Sequence, residues 1–164
     1  MLTAEQLNAL SVSQLNSIEV EDISAISANS LAGLASSQFK NLNVNQIGAL
    51  NILQGSALTT EQIGALTTSQ LASFNHGIIM AWTAEQLGAL STNNIASMST
   101  SQLKRLSSDQ IQTLTTSQIR ALTAGQFSSL STGQLGGLSA DQIAVVTLGQ
   151  KNALTTAGKT LPTV

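Results

Sequence analysis

Leu58-Thr59-Thr60-Glu61-Gln62-Ile63-Gly64-Ala65-Leu66 is the stretch whose reading decides the fold. Thr59 suits a helix N-cap, because its hydroxyl can accept a bond from an orphan backbone N–H of the first turn. Gln62 stands three residues later, where its side chain can reach back to the N–H of the cap residue, completing a capping box. Leu58 just before the cap and Ile63 four residues after it form a hydrophobic staple. Ile63 and Leu66 are three apart and share a helix face. Thr67, the next cap, arrives before the helix can pass about two turns. A helix this short is not stable alone and must pack against its neighbours, as repeats do in a solenoid.

The stretch is one of many. Counted from Leu2, twenty octads run to Leu161 without an insertion or deletion. Their consensus is Leu-[Ser/Thr]-x-x-Gln-[Ile/Leu]-x-x. Position 1 is apolar in all twenty, position 2 is Ser or Thr in fifteen, position 5 is Gln in fifteen, and position 6 is apolar in seventeen. One continuous helix fits poorly, because eight residues at about 100° each let the apolar stripe drift by roughly 80° per octad. A plain strand also fits poorly, since spacings of five and three place the two apolar positions on opposite faces. The expectation is an all-α solenoid over residues 1–164 with one short helix per octad. A β-solenoid is the structural alternative, because short Thr/Ser/Asn/Gly-rich periods also build that fold. Glu61, Glu85 and Asp109 recur every 24 residues, which favours a coil of two or three helices per turn; the octad alone does not choose between them.

Composition excludes several function classes. The 164 residues include no Cys, one His, and only 9% charged residues, with net charge −2. Disulfides, thiol chemistry and Cys-ligated metals are ruled out, and one His cannot build a multi-histidine metal site. Six scattered basic residues argue against nucleic acid, whose affinity rests on Lys and Arg at phosphates. The first residues lack a basic region followed by an apolar one. The longest apolar run, Ile78-Ile79-Met80-Ala81-Trp82, falls far short of the roughly 20 residues that span a bilayer. No catalytic residue stands out: neither a nucleophile with its base nor paired carboxylates rise above the repeat.

Leu114-Thr115-Thr116-Ser117-Gln118-Ile119-Arg120-Ala121-Leu122, like the Leu58–Leu66 stretch, resembles the Leu-Thr-Thr-x-Gln-Ile-x-Ala-Leu arrays of very large bacterial proteins. Those proteins are labelled adhesins or haem-utilisation/adhesion proteins. The resemblance covers nearly the whole chain and implies a bacterial, secreted or surface-bound, non-enzymatic role. It brings no catalytic residue to this chain. His76 is the only histidine available as an axial haem ligand, and no cofactor is expected.

Breaks in the pattern are the candidate sites. Phe74-Asn75-His76-Gly77-Ile78-Ile79-Met80-Ala81-Trp82 holds the only His and the only Trp, with Ile78 in the Gln position. Phe74, His76, Ile78, Met80 and Trp82 read either as a patch for a partner subunit or as local repacking of a wider core. Glu19, Glu21 and Asp22 cluster; calcium takes such oxygens but wants more ligands around a turn glycine, whereas negative charge in a first turn suits the helix dipole. Lys104, Arg105 and Arg120 form a modest, solvated basic spot. Residues 147–164 read as a divergent C-terminal cap, in which Lys151 and Lys159 take the inner apolar position. Leu2 and Leu7, in contrast, follow the consensus from the start. These four residues are the candidate end contacts.

Charge is divided along the chain. Residues 1–82 hold five acids against one base, and residues 83–164 hold three acids against five bases. An acidic front and a basic back suit head-to-tail association, which gives open filaments where the rotation does not close. The sequence therefore points to a non-enzymatic structural repeat protein, an extracellular fibre subunit or adhesin stalk that self-associates. The alternative is a binding module whose Ser/Thr/Asn face recognises a repetitive surface such as a glycan or ice.

Overall fold

The computed structural model describes residues 2–162. Nineteen short helices and no strand occur among them, so the fold is an all-α solenoid rather than a β-solenoid. Two compact units divide the chain at Ala89/Leu90. The first carries α1 (Ala4–Ala9), α2 (Val12–Asn16), α3 (Val20–Ala25), α4 (Ala28–Ala32), α5 (Ser36–Phe39), α6 (Val44–Gly48), α7 (Ile52–Ser56), α8 (Thr60–Gly64), α9 (Thr68–Ser73), α10 (His76–Met80) and α11 (Ala84–Gly88). The second carries α12 (Thr92–Ser97), α13 (Thr100–Arg105), α14 (Ser108–Gln112), α15 (Thr116–Ala121), α16 (Ala124–Ser129), α17 (Thr132–Gly136), α18 (Ala140–Ala144) and α19 (Leu148–Thr156).

Each octad makes its helix in the same way. The Gln62 N–H donates to Thr59 Oγ1 at 3.2 Å, and the Thr59 N–H donates to Gln62 Oε1 at 3.0 Å. This reciprocal box is present in fourteen of the nineteen helices. Helix α5 has its glutamine, Gln38, but Ala35 stands at the cap and offers no hydroxyl, so no box forms. After about one and a half turns the chain leaves the helix at position 1. Leu106, for instance, lies at φ −63°, ψ 140°. Among the described residues no non-glycine residue has positive φ, so every corner is built from ordinary helical and extended conformations. That tolerance lets one bend recur with many side chains at positions 7 and 8.

Within each unit, helices pack on the helix three octads later. In the first unit α1 meets α4, α4 meets α7 and α7 meets α10; in the second, α13 meets α16 and α16 meets α19. Each unit thus coils with three helices, 24 residues, per turn. The core is a double ladder. Position 6 is the innermost: Leu15, Phe39, Ile47, Ile63, Ile95, Leu103 and Phe127 are all 0% exposed. Position 1 lies at the corners and is buried from Ile26 onward. Full burial of each such side chain is worth roughly 1.5–3 kcal/mol, so stability is spread along the coil rather than held in one centre.

Ile63 sits in the middle of its unit's ladder. Replacing Ile63 with Ala is expected to cost on the order of 3 kcal/mol, transfer and cavity terms combined. A urea denaturation series should show the midpoint fall accordingly, and an unchanged midpoint would contradict the ladder.

Candidate functional site

The most informative site is repeated along the chain. The position-5 glutamine is buried: Gln46, Gln54, Gln62, Gln70, Gln118, Gln134, Gln142 and Gln150 are all at most 3% exposed. Burying an amide is costly unless its hydrogen bonds are met. In Gln62, Oε1 takes the cap N–H, and Nε2 donates to the carbonyls of Leu31 at 2.8 Å and Leu34 at 2.7 Å. Those carbonyls lie at a corner of the preceding turn, 31 and 28 residues back. Gln46, Gln54, Gln134 and Gln150 repeat the same pair of bonds in their own places. One side chain therefore starts its own helix and clamps the turn beneath it. The capping half of this role is legible from the octad. The clamping half is not, because it links residues about thirty apart.

The break at 74–82 turns out to be a compensated exchange. Phe74, Ile78 and Trp82 are buried, His76 is half-buried, and Met80 is 48% exposed. Octad seven carries Gly55 where an apolar residue belongs, and octad ten carries Ile78 where Gln belongs. The two meet: a Cβ built on Gly55 would overlap Ile78 Cγ2. Ile78 fills the space the glycine leaves. Trp82 Nε1 then donates to the Gly55 carbonyl at 2.9 Å, the bond that Gln86 would make by the 31-residue rule. Gln86 instead donates to Ser56 and Leu58. Phe74 meets the Trp82 ring edge-on, with centroids 5.4 Å apart, a favoured aromatic geometry. Within the break Asn75, Met80 and Ala81 are exposed, and the exposed Ile52 of α7 lies close to Gly77.

The carboxylates lie at helix starts. Glu19 is the N-cap residue of α3, and Glu21 and Asp22 are in its first turn. Among the described residues no group of three or more His, Cys, Asp or Glu is arranged to hold a metal. Glu61 and Glu85, in the first turns of α8 and α11, are held below the usual carboxylate range, chiefly by their own backbone N–H and then by the Thr59 and Thr83 hydroxyls. These are local helix-start interactions.

The two ends differ. At the N-terminal end an open cleft of about 650 Å³ is lined by Leu2, Gln6, Ser17, Ile18, Glu19, Asp22, Ala25 and Ile26. Leu2, Leu10 and Ile18 are only half-buried, and Leu7 is 1% exposed. At the C-terminal end α19 runs through the octad boundary and buries Leu154. It stops in a Schellman motif. The Lys159 N–H donates to the Leu154 carbonyl at 2.9 Å and the Gly158 N–H to the Thr155 carbonyl at 3.0 Å. Gly158 takes φ +67°, a conformation that favours glycine. Lys159 Nζ donates to the carbonyls of Ser128 and Leu130, each at 2.7 Å, and so stands in for the missing glutamine of the last octad. Lys151 is exposed. A smaller cleft of about 220 Å³ at this end is lined by Lys151, Leu154, Thr155, Lys159, Thr160 and Leu161.

A family model described as the ALTTAQ repeat matches residues 79–116 and 101–132. Read as residues, that name matches the octad with Leu at position 1, Thr at position 2 and Gln at position 5. Ala121-Leu122-Thr123-Ala124-Gly125-Gln126 is one instance inside the matched span. The chain is a repeat-array protein. No curated protein matches it.

Two substitutions test these sites. Gln62→Glu keeps the acceptor for Thr59 but sets a carboxylate against the Leu31 and Leu34 carbonyls. The expected loss is on the order of 3 kcal/mol at neutral pH. Burial and the facing carbonyls raise the new group's folded pKa above its unfolded value. Stability should therefore be partly regained as pH falls into the carboxylate range, and urea midpoints at pH 7 and pH 4 report this. Gly55→Ile alone should cost roughly 1–3 kcal/mol by overpacking against Ile78. Adding Ile78→Gln restores the consensus pair and should recover most of it; simple additivity in thermal melts would refute the exchange.

Proposed function

We propose that this chain is a non-enzymatic structural repeat protein that works as a fibre subunit or adhesin stalk outside a bacterial cell, associating head to tail. The supporting observation is where the consensus side chains go. Positions 1 and 6 fill the core, position 2 caps helices, and position 5 clamps turns. The recurring residues are thus used up in holding the coil. What remains outside is mostly small and uncharged, with too few like charges to hold copies apart. The two end clefts carry opposite charge, Glu19 and Asp22 at one and Lys151 and Lys159 at the other. Among the described residues no helix is long and apolar enough to cross a membrane. The resemblance to adhesin arrays supports the extracellular placement.

Recognition of a glycan or ice surface is the second reading. Its attraction is the regular Ser and Thr of position 2, but Thr59, Thr67 and Thr83 already accept the cap bonds of their own helices.

Electron microscopy and sedimentation of the purified chain across concentrations test the first reading. Concentration-dependent elongated assemblies are expected. Monodisperse monomers under all conditions would remove the self-assembling subunit and leave the stalk alone.

A further inference from the structure

Among the described residues of each unit, backbone–backbone hydrogen bonds join positions no more than five apart. The main chain makes no such bond from one turn to the next, as the ladder between strands would. The hydrogen bonds between turns all involve side chains. In the second unit Gln126 reaches Ile95, Ala96 and Met98, Gln134 reaches Leu103 and Leu106, and Gln142 reaches Ile111, Gln112 and Leu114. The first unit adds Asn8 on Gly33 and Trp82 on Gly55. The apolar ladder, with Ile63, Leu103 and Phe127 fully buried, is the other bond between turns. The chain has no Cys, so no disulfide staples one turn to another.

These links determine what gives way under an axial load. Caps and helical bonds are local, as in the Thr59–Gln62 box, so separating two turns breaks none of them directly. It breaks the side-chain bonds of three octads and bares the ladder between them. A freed turn then has nothing to pack against, and helices of five or six residues are not stable alone. Separation and loss of helix therefore come together, once per turn. The next turn stays clamped and packed on its own neighbour until the load overcomes that set of clamps. Re-coiling meets few obstacles. The only proline is Pro162, beyond α19, so no X–Pro isomerisation slows the helices. No corner needs positive φ in a non-glycine residue among the described residues. Each clamp closes over a short stretch, 28 and 31 residues for Gln62, and short-range contacts form fast.

We infer that the coil is an extensible element that lengthens one turn at a time under axial load and re-coils when the load falls. Each step frees three octads, 24 residues, which span about 80 Å when drawn out. A stalk built this way limits the tension on whatever it holds, because a turn opens before the force rises further. That use rests on the stalk reading above, whereas the stepwise opening is a property of a single chain.

Optical-trap pulling on the full chain, held by handles at both ends, is the test. Repeated steps of about 80 Å that recover on relaxation are expected. Gln62→Glu keeps the acceptor for the Thr59 N–H and removes the donor to Leu31 and Leu34, so one step should move to lower force with its length unchanged. Thr59→Ala removes the cap hydroxyl and leaves the clamp, and it should shift no step by as much. A single release of the whole chain, releases the size of a unit, or failure to recover would overturn the inference, as would equal shifts from the two variants. Self-assembly is decided separately. Monodisperse monomers that open in turn-sized steps keep the extensible coil and remove the fibre subunit; assembling chains that open in one release do the reverse.

Discussion

A buried glutamine amide with both ends satisfied is the interaction on which this coil depends. Its oxygen faces the N–H of the residue that caps its own helix, and its nitrogen faces two carbonyls of the turn before. Helices of five or six residues have little intrinsic stability, and four orphan groups at each end would be exposed to the core. The amide serves both problems at once. It meets orphan donors at the start of one helix and carbonyls at the corner of another. Removing only the nitrogen's function takes from the buried Leu34 carbonyl its Gln62 donor, and leaving such a group unmet costs more than the bond is worth on average.

The exceptions are compensated in different ways. Where Ile78 replaces glutamine, the isoleucine fills the volume that Gly55 vacates, and Trp82 Nε1 takes the Gly55 carbonyl in place of Gln86. Where Gly158 replaces glutamine, Lys159 Nζ reaches the carbonyls of Ser128 and Leu130 instead. The first departure keeps the ladder filled, and the second keeps a donor on the preceding corner. Asp22 also replaces glutamine, in the first turn, where no earlier turn lies beneath it among the described residues.

The low charge of the chain follows from the same design. The core and clamp positions must be neutral, and small residues at the corners let turns approach: the Cβ of an alanine at Gly64 would lie 3.4 Å from the Ala89 carbonyl. Charge is left to exposed positions and to the two ends. That is why the candidate sites of this protein are its breaks and its ends rather than a pocket along the coil.

How much of this the sequence contains depends on distance along the chain. Short helices, their caps, their starts and stops, and the inner and outer faces follow from Leu58 to Leu66 alone, because capping and the hydrophobic staple act within about five residues. The octad also determined that Leu, Ile and Phe at positions 1 and 6 form the core. Three helices per turn, the burial of Gln62 against Leu31 and Leu34, the pairing of Gly55 with Ile78, and the second use of Lys159 were decided only by the tertiary structure. Each joins residues roughly 23 to 31 apart, and the octad period is compatible with more than one number of helices per turn. Only packing the ladders to native density selects which turn lies over which.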